Sequence, residues 1–96
     1  MSFYSGRKFK NLGMASPLPI DIAFGRLLKE QRKASQFTQA DLALRAGIAK
    51  SFVSRMERGC ACPTIDTVFR IANAFDVQPE ALVKRLRLIY DELDGQ

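Results

Sequence analysis

The stretch TQADLALRAGIAKSFVSRMERG, from Thr38 to Gly59, decides the fold. Thr38 is a good N-cap, because its hydroxyl can accept from an unpaired N–H of the first turn. Gln39 to Arg45 is rich in helix formers. Ala40, Leu42, Ala43 and Ala46 offer small or apolar packing surface. Gly47 ends this helix, since glycine takes a positive φ at little steric cost. A second helix follows at once, from Ala49 to Arg58, and Gly59 stops it. Ile48, Val53 and Met56 are its expected buried side. Lys50, Ser51, Phe52, Ser54 and Arg55 lie elsewhere on its surface. A small residue at Ala43 and a sharp glycine turn let the two helices cross closely at a steep angle. One face of the second helix is left open, and an α-helix fits the ~12 Å major groove of DNA.

The flanking sequence supplies three more helices. Phe24, Leu27, Leu28 and Gln31 follow helical spacing and place helix 1 from Asp21 to Lys33, capped by Asp21. Ala34 to Phe37 read as a short break. Cys60-Ala61-Cys62-Pro63 is a turn, after which Pro63 or Thr64 opens helix 4. Ile65, Val68, Phe69, Ala72 and Phe75 give that helix near 3-4 spacing. Pro79 suits the first position of helix 5, where its missing N–H is not needed. Leu82, Leu86, Ile89 and Leu93 run along one stripe of that last helix. No strand pattern appears. The expected fold is all-α, five helices over residues 20–96, preceded by a mostly irregular arm over residues 1–19. Two readings stand for the arm: a solvated tail, or a basic segment touching DNA or a partner subunit. Met14 is a second possible start within it.

With 96 residues the chain suits one domain. Its formal net charge is +5, and the surplus is uneven. Residues 1–19 hold Arg7, Lys8 and Lys10 and no acid; residues 20–62 hold eight bases against four acids; residues 63–96 hold four bases against six acids. That asymmetry is expected if one face meets phosphate and the other does not. No run is long and apolar enough for a membrane span, and no signal peptide stands out. The absence of a disulfide framework makes the cytoplasm the default location. Two cysteines and no histidine offer one chain too few ligands for a structural zinc site. Cys60 and Cys62 read as turn cysteines, with a redox role or a metal shared between subunits as the alternatives. No cofactor is expected. Catalysis is not expected either, for want of a nucleophile beside a base or a phosphate-cradling glycine loop.

Residues 24–83 resemble the phage-repressor/Cro helix-turn-helix family, also called the XRE family. The likeness rests on several spaced elements: TQADLA opening helix 2, AGI at the turn, SRMERG ending helix 3, a proline shortly after, and IANAFDV leading into the last core helix. The resemblance implies that Gln39 bonds a DNA phosphate and helps seat helix 3. It implies that Lys50 and Ser51 reach base edges, with Arg55 one turn deeper on the same face and Phe52 able to face a thymine methyl. Arg32 and Glu57 match a pair joining helix 1 to the end of helix 3. Arg45, Ser54 and Arg58 are the remaining expected phosphate contacts. Some positions depart from the pattern. Gln31 stands where relatives place an apolar residue, and Gln36 replaces a common loop glycine. The loop after Gly59 lacks a basic residue, which leaves any minor-groove contact to the N-terminal arm.

These features lead to one expectation and one alternative. The expectation is a sequence-specific regulator of transcription, a homodimeric repressor on a palindromic operator in double-stranded DNA, dimerising through Leu86, Ile89, Tyr90 and Leu93. The alternative is a protein-interaction module, antitoxin-like, whose DNA binding is secondary or lost.

Overall fold

The computed structural model describes residues 18–94. Over that range the chain forms five helices and no strand: α1 (Pro19–Ala34), α2 (Gln39–Ala46), α3 (Lys50–Glu57), α4 (Ile65–Ala74) and α5 (Pro79–Asp94). The arm and its candidate roles lie outside the described residues, apart from its last two positions. Those two change the start of α1. Leu18 is the extended N-cap residue and Pro19 occupies the first turn, so the helix opens two residues before the expected Asp21. The fixed φ of proline favours that start. Asp21 falls inside the first turn, where a carboxylate still suits the positive end of the helix dipole.

α1 is the central element, packing most extensively on α5 and also along α3, while α2 packs on both α3 and α4. The largest fully buried side chains are Leu27, Leu28, Leu42, Val53, Met56 and Ile71, drawn from four helices. Gly25 sits where α1 crosses the end of α3, and a Cβ there would run into the carbonyl oxygen of Met56. The close approach of α1 to the end of α3 therefore depends on a missing side chain.

Two expected packing faces are corrected. On α4, Ile65 and Phe69 of the expected stripe are exposed, while Ala72 and Phe75 of that stripe are buried together with Thr67 and Ile71. The sequence offers apolar residues on two sides of this helix, and spacing alone does not say which side meets the core. On α2, Ala40 is exposed, so Leu42, Ala43 and Ala46 do the packing. On α5, Leu82 and Ile89 are buried and Leu86, Tyr90 and Leu93 pack half-buried against the same core. Among the described residues no helix is long and apolar enough to cross a membrane.

Candidate nucleic-acid interface

α2 is held at both ends. Thr38 Oγ1 accepts from the Asp41 amide at 3.0 Å, and Asp41 Oδ2 accepts from the Thr38 amide at 2.9 Å. This reciprocal capping box satisfies two N–H groups that the helix itself leaves unpaired. The Thr38 hydrogen bonds hold the Asp41 carboxyl below the usual aspartate value. At the other end Gly47 adopts φ 70° and ψ 37°. That left-handed conformation turns the chain directly into α3, and an L side chain there would be strained.

α3 lies with Val53 and Met56 wholly buried. The opposite side presents Lys50, Ser51 and Arg55 to solvent. Arg58, at the C-cap, is also exposed, and its guanidinium donates to Ser54 Oγ. Ser54 and Arg58 therefore engage each other. Phe52 is half-buried and packs against the core, and the Arg55 guanidinium carbon stands 5.4 Å above its ring centroid.

The end of α3 is anchored by a compact polar cluster. Arg32 Nε donates to Glu57 Oε2 at 2.6 Å and Nη2 to Glu57 Oε1 at 3.1 Å. Arg32 Nη1 donates to the Phe37 carbonyl oxygen at 2.7 Å. Gln39 Nε2 donates to Glu57 Oε1 at 3.1 Å. The bond to Glu57 raises the Arg32 pKa further, against the effect of burial. Side-chain exposure is 12% for Arg32 and 4% for Glu57, so this bidentate pair is largely shielded from water. One cluster thus joins α1, the loop before α2, the first residue of α2 and the last of α3. Gln39 is not a free side chain awaiting phosphate, since one of its amide protons is already committed. A glutamine amide carries two donors, and the other remains available.

Phe37 was not among the expected site residues. Its ring stacks on Phe75 at 5.9 Å with an interplanar angle of 11°, and Arg45 lies over it at 4.4 Å. The readable signal was an apolar residue just before the N-cap with Leu42 at the fourth helical position, the pattern of a hydrophobic staple. Lys50, Ser51, Arg55 and Arg58, together with the held Arg45 and Gln39, are therefore carried by α2, α3 and the C-cap of α3.

The loop after Gly59 holds two free, exposed cysteines. Cys60 Sγ lies 3.6 Å from the Arg58 carbonyl oxygen. Partial burial, with Asp21 beside it, pushes the Cys62 thiol up and favours the protonated form. Among the described residues no three His, Cys, Asp or Glu side chains gather as a metal site. Beyond this loop, a groove of about 360 Å³ is walled by Ile20 and Phe24 of α1, Ile65 and Phe69 of α4, and Val83 and Leu86 of α5.

The helix-turn-helix family model HTH_3 matches residues 28–82. A transcriptional regulator of the HTH type from Mycobacterium tuberculosis is 32% identical over 65 residues, covering 68% of this chain and 46% of the relative. The immunity repressor of Bacillus phage phi105 is 32% identical over 68 residues, covering 71% and 47%. The restriction-modification controller protein C.AhdI of Aeromonas hydrophila has a similar structure, with a TM-score of 0.62 and 32% identity over 65% of this chain and 94% of that one. The chain belongs to this helix-turn-helix family. It spans about half the length of the two regulators.

Proposed function

We propose that the protein is a sequence-specific DNA-binding regulator of transcription, acting as a homodimeric repressor. The observation that carries the reading is α3 itself: Lys50, Ser51 and Arg55 stand exposed above a completely buried Val53 and Met56. A helix so mounted can enter the major groove without unpacking. Lysine and arginine can donate to guanine O6 and N7, and a good bidentate contact is worth about 1–3 kcal/mol of discrimination. Gln39, Arg45, Ser54 and Arg58 serve the phosphates on either side and fix the register of α3 without reading sequence. Repression follows by occupying promoter DNA, in the compartment where that DNA lies, the cytoplasm.

The dimer contact needs revision from the sequence expectation. Ile89 is buried within one protomer, so it is not available to a second. The contact falls to the half-buried Leu86, Tyr90 and Leu93, continued across the groove by Ile65, Phe69 and Val83. Those last three expose 74, 57 and 53% of their surface. A two-fold pair would place its α3 helices in successive major grooves about 34 Å apart.

Selection of bound sequences from a random duplex pool tests the proposal. The expected outcome is a symmetric consensus, with affinity falling steeply as salt is added. Arg55→Ala is expected to relax preference at one position per half-site, whereas Gln39→Ala weakens all sequences alike. The exposed apolar groove favours a second reading, a module that binds another protein with DNA binding secondary or lost. Salt-insensitive or absent binding to any duplex would select that reading instead.

A further inference from the structure

Phe52 and Arg55 form the feature that carries an inference beyond DNA binding as such. Five arginines of the described residues spend donors on protein oxygens: Arg32 on Glu57, Arg58 on Ser54, Arg70 on Asp66, Arg85 on Glu30 and Arg87 on Asp91. Arg55 is held differently. Its guanidinium lies over the ring of Phe52, 5.4 Å from the centroid. The same device recurs at Arg45, over Phe37, whose ring is itself stacked on Phe75.

The two ways of holding an arginine have different consequences. A hydrogen bond to serine or carboxylate uses the in-plane N–H groups that a base edge would need. A cation–π contact with an aromatic face commits no N–H to a protein acceptor, so the fork stays free for a base edge. Phe52 is also suited to be the fixed partner, because it is half-buried and packed on the core while Arg55 is exposed. The pair is spaced i, i+3 on α3, so the helix brings the two side chains together whatever the DNA does.

We propose that Phe52 is a positioning residue that sets base specificity through Arg55, and that it does so as a cation–π brace and not by touching a thymine methyl. This rests on the DNA-reading role of α3. The brace limits the rotamers of a long side chain before DNA arrives, so less freedom is lost on binding. It also aims the fork at a single base pair per half-site.

The test uses the full chain and four proteins: unaltered, Phe52→Leu, Phe52→Tyr and Arg55→Ala, together with the Phe52→Leu, Arg55→Ala double variant. Leucine keeps apolar packing and removes the π face; tyrosine keeps both. Phe52→Leu is expected to reduce discrimination by about two- to fivefold, the size of an exposed cation–π contact. The loss falls at the base pair read by Arg55, with non-specific affinity and melting temperature little changed. Phe52→Tyr restores the discrimination, and in the Arg55→Ala background Phe52→Leu has no further effect. The proposal is overturned if Phe52→Leu lowers affinity for all sequences equally. It is also overturned if the preference lost lies at a thymine other than the Arg55 position and persists in the Arg55→Ala background, which would make Phe52 a direct reader. A measurement without DNA separates this from failure of the DNA-binding role. In the unbound protein the Arg55 Cδ protons are expected to show an upfield ring-current shift that Phe52→Leu abolishes. An unshifted resonance in the unaltered protein overturns the brace irrespective of any DNA.

Discussion

At the scale of single residues, backbone geometry rather than chemistry makes the sharpest demands. Gly25 has no tolerance for a side chain, because any Cβ meets the main chain at the end of α3. Gly25→Ala is expected to destabilise the fold by about 1–3 kcal/mol, as overpacking of a tight site does. Thermal unfolding measures it, and weakened DNA binding at temperatures where the variant is still folded would show that α3 has shifted. Gln36 presents the opposite case. It holds a φ of 60°, in the left-handed region that favours glycine. Relief of a left-handed conformation costing about 1–2 kcal/mol, less the chain entropy of glycine, makes Gln36→Gly stabilising by about 0.5–1 kcal/mol. A lowered melting temperature would refute this. Gln36 was legible as a departure from the loop glycine. Gly25 was not, because the atom it must avoid lies 31 positions further on, at Met56.

At the scale of elements, α2 and α3 are stabilised from their ends. The capping box gives α2 a pH dependence whose direction follows from Asp41. Its carboxyl is held below the usual value by Thr38. A group depressed in the folded state contributes above its unfolded pKa and loses that contribution as the pH falls through the folded one. The stability difference between the protein and Asp41→Asn is therefore expected to be full at neutral pH and to shrink below about 3.9. Melting curves from pH 7 down to 2 measure it; a difference that grows on acidification contradicts the capping role. For α3 the anchor is the Arg32–Glu57 pair. Arg32→Ala leaves the Glu57 carboxylate, 4% exposed in the intact pair, with only Gln39 as a side-chain donor among the described residues. The expected loss is about 3 kcal/mol, in the range for breaking a shielded pair from one side. DNA affinity falls with it, because Glu57 is the last residue of α3. Both helices were readable from Thr38, Gly47 and Gly59. The convergence of Gln39 on the same carboxylate was not, since it joins the start of one helix to the end of the other.

At the scale of the whole molecule, α5 and α4 divide apolar surface between the interior and the exposed face proposed for a second copy. The stripe at Leu82, Leu86, Ile89 and Leu93 was visible in sequence, but its inner members are consumed by packing within the protomer. The exposed remainder surrounds the groove at Ile65, Phe69 and Val83. Val83→Glu alters a position that is already half in water, so the fold should survive. It is expected to convert a dimer to monomer in sedimentation and to weaken a palindromic site far more than an isolated half-site. An unchanged dimer would remove the groove from the interface.

The amino-acid sequence alone determined that the described residues form helices and no strand, where α2 begins and ends, where α3 lies to within one residue at each end, and which residues of α3 are polar. Those properties depend on caps, glycine positions and periodicity, which act between residues a few positions apart. Only the tertiary structure decided which apolar face of α4 is buried, that Ile89 belongs to the interior, and that Arg55 is braced on Phe52 while Arg58 is tied to Ser54. Such choices depend on which surfaces and rotamers meet once the helices pack, and one-dimensional spacing is the same for either outcome.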